Sequence, residues 1–579
     1  MSVTTVEDKV RRILRAMFST KVLSEPHPAP GLQMTEHWAL AREIAQEGIV
    51  LLKNDGGLLP LDKHAPQTLA LIGPNLAEAR TGGGGSSRVT PYRAVSPLEG
   101  IRAAVGSEVR LLEVPGLFLG DGTIPAVDPS FLWRFKNQHG LVGEYYTNMA
   151  LEGNPARKRY DDTIDFDWGA GSPFAGFPAD RFSVRWTGSL RVPESGTYLL
   201  GTLSDDGVRV YLDGELIIDN WTDHAATLDQ VERYLKVGHD YALKVQYYEN
   251  GGDALIRFGC LRADVLDDAV EAASQADTVL LFVGLSAELE GEGWDRATMD
   301  LPPRQMELIR QVSAVNPRTV VVVIAGSQVG METWADGVPA ILQAWYPGQE
   351  GGHAIADILF GDVNPSGKLP MTFVRRWEDH PAYELYPSGE YTDGIYVGYR
   401  YFDTYRVEPL FPFGHGLSYT TFAYSDLEID ASTLPETGTV GVKLKVRNTG
   451  TRAGKEVVQL YVRDPQCSVD RPEKELKRFA KVELQPGERR SIEFTLDEAA
   501  FAFWNPDLGA WHVEPGRFEI LVGSSSRDIR LAGSFEWPDD LPSARPQLVF
   551  PQFASGEDGG HPNRTRVILM NGGDEAFEG

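Results

Sequence analysis

The sequence predicts a multi-domain α/β plus all-β protein: an α/β sandwich domain interrupted by an inserted β-sandwich and followed by a C-terminal β-sandwich. Three observations predict it. At 579 residues the chain is long enough for three or four domains. Short unalternating apolar runs alternate with helical stripes early in the chain and again from about residue 263. In between, and again from about 416, the hydrophobic period falls to two and turn signals come at short intervals.

Taken in order, the first element is a helix. Thr5 serves as its cap with Asp8 three residues on, and Val6, Val10, Ile13 and Met17 form one stripe. Such a lone amphipathic helix needs a partner surface. Glu25-Pro-His-Pro-Ala-Pro-Gly31 reads as a linker. A helix is expected over 36–52, with Trp38, Ala41, Ala45 and Ile49 on one face, before a strand at 69–73. The pattern resumes with a strand over 278–284 and a helix carrying Leu308, Val312 and Val315. Strands over 319–325 and 340–344 and a helix near 351–360 follow. Strands alternating with helices imply parallel pairing in one sheet.

Residues 139–262 read instead as short strands punctuated by Pro193-Glu-Ser-Gly196, Asp205-Asp-Gly207 and Asp213-Gly214, with 198–203, 208–212 and 216–218 as successive hairpins. This all-β unit sits inside the α/β unit, an insertion tolerated because domain termini often lie close together. The strands at 439–447, 457–463, 491–495 and 518–522 are spaced as in a small sandwich. The last forty residues are turn-rich.

Composition excludes several classes. With 55 Lys+Arg against 82 Asp+Glu the formal charge is −27, which argues against nucleic acid and against an anionic membrane surface. Two cysteines, Cys260 and Cys467, make no disulfide scaffold and no zinc pair; no cofactor and no metal are expected. No apolar run is long enough to span a bilayer. The first residues carry no basic-then-apolar secretion signal, which favours the cytoplasm.

The chemistry-bearing segment follows the strand 278–284: Leu285-Ser-Ala-Glu-Leu-Glu-Gly-Glu-Gly-Trp-Asp-Arg296. Ligands of open α/β sheets gather beyond the carboxyl ends of strands, where this loop lies. Crowding Glu288, Glu290, Glu292 and Asp295 beside apolar surface raises proton affinity, as a general acid requires. The plainer reading is a solvated acidic loop.

Gly291-Glu-Gly-Trp-Asp-Arg296, with Asp300-Leu-Pro and Gln305, resembles the acid/base loop of glycoside hydrolase family 3, the β-glucosidase family. Gly48-Ile-Val-Leu-Leu-Lys-Asn54, the glycine run from Gly82, Trp345-Tyr-Pro-Gly-Gln-Glu-Gly-Gly352, Asn364-Pro-Ser-Gly-Lys-Leu-Pro370 and Phe411-Pro-Phe-Gly-His-Gly-Leu-Ser-Tyr419 match it in order. The resemblance implies an α/β sandwich at 35–115 and 263–385, and a protective-antigen-type β domain inserted at 116–262 (core 139–262). It further implies a linker at 386–415, a fibronectin type III-like domain at 416–537 and a tail at 538–579.

The resemblance also implies retaining hydrolysis of terminal non-reducing β-D-glucosyl residues, with β-glucosides or oligosaccharides as partners. Carried over by motif, Glu292 is the acid/base, with Glu290 second, and Trp294 and Arg296 shape the loop and bind substrate. Asp295–Arg296 is alternatively an ordinary ion pair. In the family the nucleophile comes from a (β/α)8 barrel that precedes this region. Residues 1–34 resemble its exit helix and linker, so the nucleophile is expected to be absent from this chain. The barrel would be encoded upstream or supplied by a separate polypeptide. The alternative is an inactive, barrel-less relict acting as a carbohydrate-binding module.

Other residues have structural readings. Asp167-Trp168 looks like the family's nucleophile dipeptide, but the inserted domain's own pattern explains it. Asp205-Asp-Gly207 reads as a turn rather than an acidic pair for a hard cation such as calcium. Cys260 reads as a small core residue. His415 and Tyr419 read as junction packing, and Trp221, Tyr247 and Tyr248 as core aromatics or sugar-stacking rings.

Overall fold

The computed structural model describes residues 2–20, 34–115, 124–134 and 138–539, apart from positions 264, 288, 294, 385, 387, 391, 392 and 433, together with short strand pairs beyond 550. The linker read at 25–31 and most of the tail lie outside the described residues.

The first helix is Val3–Ser19. Its cap is Ser2 rather than Thr5: the Thr5 amide donates to Ser2 Oγ at 3.2 Å. Ser2 has the extended backbone a cap requires, whereas Thr5 already lies in the first turn. None of its residues is buried, so its apolar stripe lies bare.

The α/β unit is built on a six-stranded sheet. Its order is Val50–Asn54, Ala340–Gln343, Thr319–Ile324, Thr278–Gly284, Gln67–Gly73 and Val109–Pro115. All neighbours pair in parallel except the first two. The helix expected over 36–52 is Met34–Gly48, and the residues beyond it form the antiparallel edge strand. Val50, Leu51 and Leu52 are apolar in succession and all buried, which one face of a surface helix cannot accommodate but a strand covered on both sides can.

The same logic holds along Thr278–Gly284. Leu280 and Phe282 pack with the helices Met34–Gly48, Pro97–Ala104 and Gly351–Phe360, while Val279, Leu281 and Val283 pack against Val265–Gln275 and Pro303–Val315. Each fully buried Val or Leu contributes about 1.5–3 kcal/mol.

The inserted unit is a sandwich of two antiparallel sheets. Val208–Leu212 and Glu215–Asn220 form the expected hairpin. The preceding strand, Gly196–Ser204, does not join it: it pairs with Thr227–Leu235 and Ala254–Arg262 in the other sheet. Sequence alternation records which face of a strand is buried but not which sheet it joins. Both inner faces fill one aromatic-rich core that includes Tyr145, Trp186 and Phe258.

The C-terminal sandwich sets Phe422–Asp430, Thr439–Asn448 and Arg489–Asp497 against Glu475–Leu484, Gly454–Arg463, Gly516–Gly523 and Ile529–Trp537. Among the described residues there is no (β/α)8 barrel, and no helix is long and apolar enough to cross a membrane.

Candidate active site

The parallel strands all end at one edge of the central sheet, and the loops that leave four of them converge there. Gly84, beyond the strand Gln67–Gly73, bridges to Gly291, beyond Thr278–Gly284. The Gly84 amide donates to the Glu290 carbonyl at 2.9 Å. The side chain of Glu290 turns the other way. Its Oε2 accepts from the Gly326 amide at 2.7 Å and from the Tyr346 hydroxyl at 2.9 Å, and its Oε1 accepts from Ser327 Oγ. Gly326 and Ser327 follow Thr319–Ile324, and Tyr346 follows Ala340–Gln343, so one carboxylate ties together the loops of neighbouring strands. The approach is close enough that a Cβ on Gly326 would lie 2.9 Å from the Tyr346 ring and 3.2 Å from Glu290 Oε2. Burial, then the charge of Glu290, pushes the Tyr346 phenol far up, so it stays a donor.

Glu292 lies two residues on, exposed at the tip of the loop. It accepts from the Ser86 amide at 2.9 Å and from Ser86 Oγ. A side chain at Gly85 would collide with it, since a Cβ there would stand 2.5 Å from the Glu292 Cβ, and Gly85 has a φ of 83°. The Ser86 hydroxyl and then its amide hold the Glu292 carboxyl below the usual glutamate range. The crowding expected from sequence to raise it is not realised at this residue. Glu290 is turned inward, and Asp295 accepts from the Tyr386 hydroxyl. Glu288 lies outside the described residues.

Asp295 and Arg296 do not pair with each other. Arg296 donates through Nη2 to Ser327 Oγ at 3.1 Å and to the Gln328 carbonyl at 2.8 Å, and burial lowers its proton affinity. In this position it braces the loop against the next strand's exit. Trp294, the other residue read as substrate-binding, lies outside the described residues.

The remaining candidates fall where packing explains them. Asp167 is exposed on the strand Asp165–Gly169 of the inserted unit, and Trp168 stacks on Phe166 at 5.0 Å. Cys260 is buried, its thiol pushed up to about 12 by desolvation. His415 Nε2 meets the Leu52 carbonyl at 2.9 Å, and Tyr419 donates to the Ile358 carbonyl at 2.8 Å. Tyr247 and Tyr248 are buried, and Trp221 packs edge-on to Tyr248. Ser327, which bonds both Glu290 and Arg296, is not singled out by the sequence. Its only signal is a Gly-Ser pair directly after an apolar strand.

An exposed carboxylic acid on a glycine-rich loop at the carboxyl edge of a parallel sheet is suited to proton transfer with a ligand bound there. The class this fold and site define is the family 3 glycoside hydrolases, and the chain belongs to that family: residues 49–419 match the Glycosyl hydrolase family 3 C-terminal domain and residues 456–526 a fibronectin type III-like domain. A β-glucosidase of Rhizobium radiobacter is 36% identical over 573 residues, spanning 93% of this chain and 67% of the relative. A probable β-glucosidase K of Emericella nidulans is 37% identical over 571 residues, 92% of this chain and 65% of the relative. Among solved structures, the Kluyveromyces marxianus β-glucosidase in complex with glucose superposes with a TM-score of 0.72 at 33% identity, covering 93% of this chain and 67% of that one. The chain thus spans about two thirds of the length of these relatives.

Proposed function

We propose that this chain supplies the acid/base half of a retaining β-glucosidase site, with Glu292 as the proton donor. The observation that carries the reading is the position of Glu292. It is exposed at the carboxyl edge of the sheet, on a loop held from both sides, in a chain of the β-glucosidase family. The opposing nucleophile belongs to a (β/α)8 barrel that completes the site.

In the first step a barrel carboxylate about 5–5.5 Å from Glu292 attacks the anomeric carbon of a terminal β-D-glucosyl unit. The glycosidic C–O bond breaks, and the Glu292 carboxylic acid gives its proton to the departing oxygen. In the second step the Glu292 carboxylate takes a proton from water, whose oxygen attacks the anomeric carbon and releases the nucleophile. Glu292 starts from a depressed proton affinity. Closing the barrel over the loop would exclude water and bring the nucleophile's negative charge near, and both effects push it upward.

The test is hydrolysis of aryl β-D-glucosides of graded leaving-group ability. It is run on the chain alone and on the chain preceded by a family barrel. Turnover is expected only with the barrel. Glu292→Gln should then slow poor leaving groups by about 10²–10⁴-fold and good ones far less. Equal loss for every leaving group would remove Glu292 from the acid role. Binding of oligosaccharides with no turnover in either form would favour a carbohydrate-binding relict instead.

A further inference from the structure

The inserted unit contains a carboxylate cluster that the glycosidase reading does not use. Oxygens of Asp205, Asp206 and Glu249 lie within 4.8 Å of one another. Glu249 is fully buried and Asp206 nearly so. One oxygen of Glu249 accepts from the Tyr247 hydroxyl at 2.8 Å, while the other is buried and has no donor.

The cluster occupies a special place in the topology. The chain crosses between the two sheets of this sandwich at the turn between Gly196–Ser204 and Val208–Leu212, at the loop between Glu215–Asn220 and Thr227–Leu235, and at the loop between Tyr241–Glu249 and Ala254–Arg262. Asp206 joins all three. It lies in the first crossing, accepts from the His224 amide of the second at 3.2 Å, and accepts from the Asn250 amide of the third at 2.7 Å. Its own amide donates to the His224 carbonyl at 2.7 Å. Glu249 is the last residue before the third crossing.

We propose that Glu249 carries a proton in the folded inserted unit, and that loss of this proton toward neutral pH loosens the end of the sandwich where the three crossings meet. An ionised Glu249 would face carboxylate oxygens of Asp205 and Asp206 within 4.8 Å in a low-dielectric setting and be repelled by them, whereas a protonated Glu249 is not. Asp205 on the first crossing and Tyr247 on the strand act on Glu249 directly, His224 on the second crossing and Asp253 on the third act on Asp205, and Tyr248, which donates to Asp223 of the second crossing at 2.8 Å, lies beside Asp206. Burial, partly opposed by Tyr247 and reinforced by Asp206 and Asp205, carries Glu249 up to about 7, well above the usual glutamate range. A folded value above the unfolded one means the stabilisation is complete below the unfolded value and is lost as pH rises to the folded one.

Hydrogen exchange of the whole chain, followed by mass spectrometry on peptides covering 204–208, 223–227 and 248–254 and corrected for intrinsic rates, tests this. Protection in these peptides should fall by about tenfold per pH unit from about pH 5 to about pH 7 and level off above. Glu249→Gln should make it independent of pH. Asp205→Asn removes a neighbouring charge and should move the transition toward acid, so the proposal stays testable if Glu249→Gln fails to fold. Infrared spectra at pH 6 should show a protonated-carboxyl band in the wild type that is absent in Glu249→Gln. Flat protection in the wild type, or an unchanged pH response in Glu249→Gln, would overturn the proposal. So would protection restored at pH 8 by calcium or magnesium ions and reversed by a chelator, since the cluster would then be a cation site.

Discussion

Glu290 and Glu292 are two residues apart and chemically similar, yet their surroundings separate them. Glu290 receives donors from Gly326, Ser327 and Tyr346, so a proton placed on it would face a donor rather than a substrate oxygen. Glu292 is held by Ser86 alone among these residues and keeps a solvent-facing side. That contrast makes Glu290 the anchor of the loop and leaves Glu292 open to solvent. The Ser86 hydroxyl stabilises the Glu292 anion. Ser86→Ala should therefore raise the Glu292 carboxyl toward the ordinary glutamate range while the backbone amide keeps part of the depression. Carbon-detected NMR titration of the side-chain carboxyl in the isolated chain would read this, and an unchanged titration would show that the hydroxyl is not the agent. The loop that carries Glu292, beyond the strand Thr278–Gly284, was legible in the sequence through Gly291-Glu-Gly-Trp-Asp-Arg296. The role of Ser86 was not, because it lies 206 residues away and comes close only through the Gly84–Gly291 bridge. Nor could periodicity say which of the crowded carboxylates turns inward, since that depends on Gly326 leaving room for the approach.

At the scale of single elements, the central strands were readable because burial on both faces demands apolar residues at successive positions. Val208–Leu212 was readable because burial on one face demands alternation. The edge strand Val50–Asn54 was misread as the end of a helix, since its few apolar residues fit either periodicity. What aims the loop that carries Glu292 is a bond made by Gln305, a position the family motif marks without saying what it does. Gln305, on the helix Pro303–Val315, accepts from the Gly284 amide and donates to the Gly284 carbonyl, both at 2.9 Å, at the point where the strand gives way to the loop. Gly284 has a φ of 143°, and a Cβ there would stand 1.8 Å from the Ile324 carbonyl oxygen, so the chain turns in a space that only glycine fits. Gln305→Leu keeps the bulk but strands two buried backbone groups. It should cost about 2–6 kcal/mol of stability, measured by urea unfolding of the α/β unit, because each unpaired group costs about 1–3 kcal/mol. A loss well under 1 kcal/mol would mean the Gly284 groups find other partners.

Across the whole molecule, the α/β unit and the C-terminal sandwich meet through polar contacts as well as apolar ones. Asn364 donates to the Ala453 carbonyl at 2.9 Å, and Arg527 reaches Asp403 and the Phe402 carbonyl. Glu47, near the end of the helix Met34–Gly48, accepts from both Lys455 and Lys481 on adjacent strands of the sandwich. Desolvation works against its charge, but the two lysines prevail and its carboxyl falls below the usual range. A depressed folded value means the contribution is present above the unfolded value and disappears as pH falls through the folded one. About a third of the Glu47 side chain is exposed, so solvent screening limits the gain to roughly 1 kcal/mol or less. Glu47→Gln should accordingly lower the urea midpoint of the docked chain slightly at pH 7. The difference from the wild type should shrink as pH drops below the ordinary glutamate range, where the wild-type carboxyl is itself neutral, and high salt should narrow it in the same way. A difference of equal size at pH 7 and in acid would assign the contact to packing of the side chain rather than to its charge.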